Sequence, residues 1–325
     1  GSGWAVTALV TTTDTGSSSG IIRDQFDLPA PGDIRSVLVA AANPRPDMER
    51  LVELFEFRFH PAHDSTLRNM ALGNLVLTAF SGALGDFARA VEAVARLFDC
   101  WAEILPIPSS PATLCARLAD GSVVRGEFSV RAVGKPPILE VFLEPAEPRI
   151  PEAVIQAIHA ADLIVLGPGG LYCSVLPALL PRPIRQAIRG SRSRTAYICN
   201  ITTQPGQTDG FDTVAHVREL IKYVGEGQLD YVLLNTQAPT DEMIAAYRKD
   251  NVHFMPVTPE EIRRVKSLGP TPVVGDFVEE EWQGKRQLHK LDTIRHHPRK
   301  VATALQAMIP DAAPRTTIAE GGASS

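Results

Sequence analysis

Cysteine is scarce in this chain and scattered along it. Cys100, Cys115, Cys173 and Cys199 form no Cys-x-x-Cys pair and no Cys/His spacing suited to zinc. That excludes a disulfide framework or a zinc ribbon as the basis of the fold and is read as a reduced intracellular chain of small buried thiols. Long apolar runs are missing too. Charges or prolines interrupt every one before the roughly 18 residues of a spanning helix, so no membrane insertion is expected. The first residues lack the layout of a secretory signal, and the expected location is the cytoplasm. Charge of one sign is not in large excess: the formal net charge of −5 gives no global reason to bind nucleic acid or an anionic membrane. Two nucleotide signatures are also missing, since no Gly-Lys-Ser/Thr follows a glycine-rich stretch and no GxGxxG occurs. No Ser/His/Asp constellation or paired-carboxylate pattern stands out as a catalytic centre.

With 325 residues, 44% hydrophobic and 21% charged, the chain is long and apolar enough to bury a sizeable core. Apolar, β-branched runs recur at Ala5 to Thr12, Leu163 to Leu166, Thr195 to Asn200 and Tyr231 to Asn235. They lack polar alternation and are separated by helical patterns, which predicts an α/β fold with a mostly parallel sheet covered on both faces. One such helix spans residues 86–98, with Phe87, Val91, Val94 and Phe98 on a single stripe. A second amphipathic run covers Leu67 to Phe80. The helix-rich stretch 47–99 is read either as a cover for a site or as the face of a homodimer, and periodicity does not separate the two. Residues 112–145 switch to short strands around Asp120-Gly121, with a third strand near Leu139 to Leu143, predicting a small antiparallel insertion. One α/β domain is expected over 1–309, followed by a mobile tail, 310–325, without apolar periodicity.

In open α/β sheets ligands bind beyond the carboxyl ends of the strands. Four strand exits have unusual composition: Asp14-Thr15-Gly16-Ser17-Ser18-Ser19-Gly20, Gly167-Pro168-Gly169-Gly170, Asn200 through Gly210 in "NITTQPGQTDG", and Asn235-Thr236. Singly, each reads as an ordinary turn. One sheet would bring all four to one edge, where backbone amides and hydroxyls cradle an anion without a dedicated lysine. Asp14 is a candidate ligand for a hydrated Mg²⁺ carrying a diphosphate, or for a substrate hydroxyl, or a turn residue. Asp33 follows a glycine at a helix start, where N-capping is the plainer reading and a site role the alternative. Arg35 either pairs a phosphate in the same crevice or lies on a solvated helix face. In "RHHPRK", adjacent His296 and His297 on an extended stretch point oppositely and Pro298 marks a helix entry, which leaves Arg295 a lesser candidate.

These stretches occur together in a known order. "DTGSSSGIIRD", "PAPGDIRSVLVA", "FEFRF", "LGNLVLTAF", "ADLIVLGPGGLYCSVLPALL", "CNITTQPGQTDGF" and "IRHHPRK" resemble the YvcK-type gluconeogenesis factor family, which is related to the 2-phospho-L-lactate transferase (CofD) family. The resemblance runs over nearly the whole chain and implies a Rossmann-like fold. Carried over by motif, Asp14, Gly16, Ser18, Ser19, Gly20, Asp33, Arg35, Asn74, Gly167, Gly169, Asn200, Gln204 and Asn235 would line a nucleotide crevice. YvcK-type members are associated with carbon metabolism and cell-envelope morphogenesis and bind UDP-sugars. The transferase relatives use a guanosine diphosphate-linked donor with Mg²⁺. The resemblance further implies a strand and a glycine-rich GGGTG loop ahead of the run matched by "VTALVTT", whereas the sequence here starts at Gly1-Ser2-Gly3. Where the family has Gly-His-Ser before Leu-Gly-Asn, this chain has Asn69-Met70-Ala71, so no role of that imidazole transfers. The expected function is a nucleotide-sugar-binding regulator. A transferase with Asp14 on Mg²⁺ is the rival, and a purely structural interaction protein ranks last because it leaves the four exits unexplained.

Overall fold

The computed structural model describes residues 4–61, 63, 65–286 and 292–309, so the expected tail at 310–325 lies outside the described residues. The first apolar run forms β1 (Thr7–Thr11). Five helices follow: α1 (Ser17–Phe26), α2 (Gly32–Ala41), α3 (Pro46–Glu56), α4 (Leu72–Leu84) and α5 (Phe87–Leu97). The chain then returns as β2 (Glu103–Ile107), parallel to β1 with Thr7 opposite Glu103 and Thr11 opposite Ile107. The helical stripe read at 86–98 is realised in α5. Asp86 accepts the Arg89 N–H as its N-cap, and Phe87, Val91 and Val94 are buried. They meet Ile34, Leu38, Phe55, Leu77, Phe98, Val10 and Ile104 in one apolar cluster on the outer face of β1 and β2. Fully burying a side chain such as Phe98 contributes about 1.5–3 kcal/mol. The run read as helical from Leu67 starts later, at Leu72. Residues before it are held in a loop in which Arg58 bridges Ala71 and Asn69 takes a left-handed φ of 59°, so tertiary pairing overrides the local period.

The insertion is as its sequence predicts, with one addition. β3 (Thr113–Leu118) lies between β4 (Val123–Arg125) and β5 (Ile138–Glu144), antiparallel to both. Asp120 Oδ1 accepts the Ser122 N–H at 2.9 Å and Gly121 supplies the φ of +84° that closes the hairpin. Between β4 and β5 runs a short helix, α6 (Glu127–Arg131), too brief to leave a period in the sequence.

After α7 (Glu152–Ala160) come the four strands of a wholly parallel sheet: β6 (Leu163–Leu166), β7 (Arg194–Ile198), β8 (Tyr231–Asn235) and β9 (Thr271–Gly275), in spatial order of sequence. A π-helical turn (Leu171–Val175), α8 (Leu176–Leu179) and α9 (Arg182–Gly190) connect β6 to β7. α10 (Thr213–Val224) leads to β8, and α11 (Asp241–Arg248) and α12 (Pro259–Ser267) lead to β9. One face of this sheet sends Ile164, Leu166, Tyr197, Val232 and Leu234 into the largest apolar cluster, which also receives Leu9, Leu105 and Ile107 from the β1–β2 pair. The two parallel sheets therefore share one apolar layer. The opposite face, with Ala196, Ile198 and Leu233, is covered by Val301 of α13 (Pro298–Gln306) and by Met308. Among the described residues β1–β2 and β6–β9 form separate parallel sheets, and open α/β sheets form their ligand crevices beyond the carboxyl ends of such strands. Among the described residues no helix is long and apolar enough to cross a membrane.

Candidate functional site

The exit of β1 folds back on itself because Asp14 organises it. Asp14 is buried, and its Oδ1 accepts the Gly16 N–H at 2.8 Å, an Asx turn that hands the chain to α1. Two glycines let this turn pack tightly. A Cβ on Gly20 would stand 2.5 Å from the Thr15 carbonyl oxygen, and one on Gly32 would stand 2.3 Å from Ser19 Oγ and 3.6 Å from Asp14 Oδ2. Asp14, the first turn of α1 with its buried Ser19, and the start of α2 are thus in direct contact. Of Ser18 only the backbone, in the first turn of α1, is described. Asp33 is not the N-cap. Pro31 holds that position, and Asp33 sits in the first turn of α2, where a carboxylate is favoured by the helix dipole. Arg35 lies two residues further on and is buried rather than solvated. It pairs with Glu56, its Nη2 donates to Ser36 Oγ at 3.4 Å, and its Nε finds no acceptor. Gly73 presses α4 against it, since a Cβ there would be 3.0 Å from Arg35 Cδ. The neighbouring Asn74 is buried in the first turn of α4.

The amino termini of α1, α2 and α4 thereby converge around Asp14, Ser19, Arg35 and Asn74. The residues at their N-cap positions, Gly16, Pro31 and Ala71, make no side-chain capping hydrogen bond. Side chains of Asp86, Asp212, Thr240, Thr258 and His297 cap α5, α10, α11, α12 and α13, while α3, α6, α7, α8 and α9 also lack such a bond, so what sets α1, α2 and α4 apart is that their starts meet. Uncapped amino termini keep first-turn N–H groups and the positive end of the dipole on offer to an anion.

The other half of the crevice lies at the exits of β6 and β7. Gly167 has φ of +83°, and a Cβ on it would be 3.2 Å from the Ile198 carbonyl oxygen. The Gly169 carbonyl accepts a hydrogen bond from Asn200 Nδ2 at 2.9 Å, tying the two exits together. The Gln204 amide lies over Gly170, where a Cβ would be 3.2 Å from Oε1, and that oxygen is buried without a donor. The π-helical turn after Gly170 is a geometry that recurs at functional sites. Asn235 is placed differently: its Oδ1 accepts the Phe277 N–H at 2.9 Å and its Nδ2 donates to the Gln237 carbonyl at 2.7 Å, so both ends of the amide brace the exits of β8 and β9. In the "RHHPRK" stretch, His296 Nε2 is 3.1 Å from the Cys199 carbonyl, His297 caps α13, and the Arg295 N–H donates to Glu279.

α6 joins the two halves. A Cβ on Gly126 would be 2.9 Å from Thr15 Oγ1, and the Phe128 N–H reaches that same oxygen at 3.5 Å. At its other end, the Arg131 and Ala132 carbonyls occupy the space beside Gly206, and Lys135 Nζ donates to the Gly206 carbonyl. Burial lowers the Lys135 pKa, with Asp209 acting in the opposite sense. Sequence reasoning missed α6, although the Glu127/Arg131 pair at i,i+4 after Gly126 is a helix signal. It also left the roles of Glu56 and Arg58 in "FEFRF" unassigned. For Mg²⁺, no group of three or more metal-ligating side chains assembles among the described residues. Mg²⁺ on a diphosphate needs only one or two carboxylates and keeps its waters, a requirement that Asp14 fits.

The family model described as 2-phospho-L-lactate transferase CofD matches residues 3–278. A gluconeogenesis factor of Halalkalibacterium halodurans is 36% identical over 301 residues, spanning 93% of this chain and 88% of that protein. The gluconeogenesis factor of Bacillus subtilis is 36% identical over 302 residues, spanning 92% and 89%. A crystal structure of a UPF0052 family protein from Bacillus halodurans superposes with a TM-score of 0.84 at 35% identity, covering 93% of this chain and 91% of that one.

Proposed function

Because the chain belongs to the CofD family, together with the gluconeogenesis factors it is similar to, we propose that it is a cytoplasmic nucleotide-sugar-binding protein that regulates carbon metabolism and cell-envelope morphogenesis. Its ligand is a UDP-sugar, whose diphosphate lies in the crevice between the β1 exit and the exits of β6 and β7. The observation that carries this reading is the meeting of three helix amino termini without side-chain caps around Asp14 and the buried Arg35. Such a place recognises a diphosphate by backbone N–H groups and one guanidinium, which needs no lysine-bearing phosphate loop.

A second reading, transfer of a phospho-group-bearing moiety from a nucleoside diphosphate-linked donor, is favoured by Asp14, whose carboxylate stands at a strand exit where Mg²⁺ on a diphosphate would sit. Thermal-shift titration with UDP-N-acetylglucosamine, GDP and NAD, each with and without Mg²⁺, separates the readings. A ligand at a hundred times its Kd adds about 2.7 kcal/mol to apparent stability. A shift with the UDP-sugar alone supports the regulator. A Mg²⁺-dependent shift with GDP, lost in Asp14→Asn, supports the transferase. No shift with any of the three ligands would reject both.

A further inference from the structure

Glu56 ends α3, and Arg58 lies at the start of the segment that joins α3 to α4. Glu56 forms an ion pair with Arg35; the carboxylate side chain is 46% exposed, whereas that of Arg35 is 7% exposed. Arg58 stands close enough for its charge to be felt: burial and then repulsion from Arg35 lower its pKa, and attraction to Glu56 opposes them. Of the two guanidiniums only that of Arg35 is ion-paired with Glu56, while the Arg58 backbone pairs with Ala71 at the start of α4, two residues from the Gly73 that packs against Arg35. Their hydrogen-bonding capacity is also underused. Arg58 donates from Nη1 to the Asn69 carbonyl at 2.8 Å, its remaining N–H groups have no acceptor among the described residues, and Arg35 Nε is buried with none. Glu56 has solvent to move into, whereas Arg35 does not. Beside them, Gly73 brings the uncapped start of α4 within van der Waals reach of Arg35.

We propose that Arg35 and Arg58 form a phosphoryl subsite in which the Glu56 carboxylate is the resident occupant, displaced when a phosphoryl group of the ligand binds. The inference rests on the diphosphate reading above and adds a competitor within the chain. A carboxylate offers two oxygens and one charge, whereas a phosphoryl group offers three oxygens and more charge to the same two guanidiniums, so exchange favours the phosphoryl group. Displacement also releases the end of α3 from its ion pair with α2.

The test is calorimetric titration of the full chain with inorganic diphosphate, and with UDP-N-acetylglucosamine, for wild type, Glu56→Gln and Arg58→Gln. Glu56→Gln removes the competitor, and diphosphate should bind about threefold or more tighter. Arg58→Gln should bind about tenfold more weakly. Without ligand, Glu56→Gln should melt below wild type because Arg35 loses its partner, and saturating diphosphate should bring it back to the wild-type value or above. Diphosphate that fails to bind wild type, or that binds Glu56→Gln no more tightly, overturns the subsite. If Arg58→Gln does not fold, the two Glu56→Gln readouts still decide. The two readings fail separately. A UDP-sugar that binds all three proteins equally well overturns the subsite and leaves the nucleotide reading standing. Diphosphate that responds as stated while the UDP-sugar does not bind overturns the nucleotide reading alone.

Discussion

Two glycines of α4 undergo the same substitution with opposite expected outcomes. Gly82 is exposed, and a Cβ there meets nothing within 4 Å. Gly82→Ala should therefore show only the gain in helix propensity, a stabilisation of about 0.5–1 kcal/mol. Gly73 lies at the start of the same helix, where a Cβ would stand 2.5 Å from Phe55 Cδ1, 2.9 Å from the Phe55 carbonyl oxygen and 3.0 Å from Arg35 Cδ. Phe55 has little room to yield: it is 2% exposed and packs edge-on against Phe98 with ring centroids 4.5 Å apart. Overpacking of this kind costs about 1–3 kcal/mol, which outweighs the propensity gain and leaves Gly73→Ala about 1–2 kcal/mol less stable than wild type. Urea unfolding with a common m-value measures both variants, and their stabilities should differ by about 1.5–3 kcal/mol. Because relief of the clash pushes on Arg35, Gly73→Ala should also bind diphosphate more weakly than Gly82→Ala does. A Gly73→Ala protein as stable as Gly82→Ala would refute the close approach of α4 to α3 and, with it, the geometry assigned to Arg35.

Stability should fall as the pH drops below about 6.5. Burial depresses the pKa values of His216 and His296, against the raising effect of the Asp212 and Cys199 carbonyls they face. Below about 6.5, the usual histidine pKa, the unfolded chain then binds protons that the folded chain does not, so the stabilisation is complete above that pH and is lost as the pH falls towards the depressed folded values. Urea midpoints at pH 7.5, 6.5 and 5.5 check this, and a flat profile would count against it. The thiols should be inert in the native state. Burial pushes Cys199 up to about 12 and Cys100 and Cys115 up to about 11, so iodoacetamide at pH 8 should label them slowly until urea unfolds the chain. Rapid native labelling of Cys199 would contradict its placement beneath His296.

The sequence by itself determined the elements whose signal is local and repeated. The stripe of α5 follows from a period that packing has to obey, and the Asp120-Gly121 hairpin from a turn that few residues can make. β1, β6, β7 and β8 are legible as apolar runs, whereas β2 and β9, each interrupted by a proline, are not. The glycine-rich exits could be read as places for an anion, though not how they meet. Tertiary structure alone decided that Gly32 is needed for Ser19, Gly73 for Phe55 and Arg35, and Gly206 for the carbonyls that end α6, because each of these glycines makes room for an atom distant in the chain. It also decided that α4 starts at Leu72 and that Asp33 sits inside its helix, since bridge pairing and the Pro31 cap outweigh the residue-level preference. The Arg35, Glu56 and Arg58 trio has no period and no fixed spacing to betray it. Charges on α2, at the end of α3 and just beyond it act through space, at distances that only the folded chain sets.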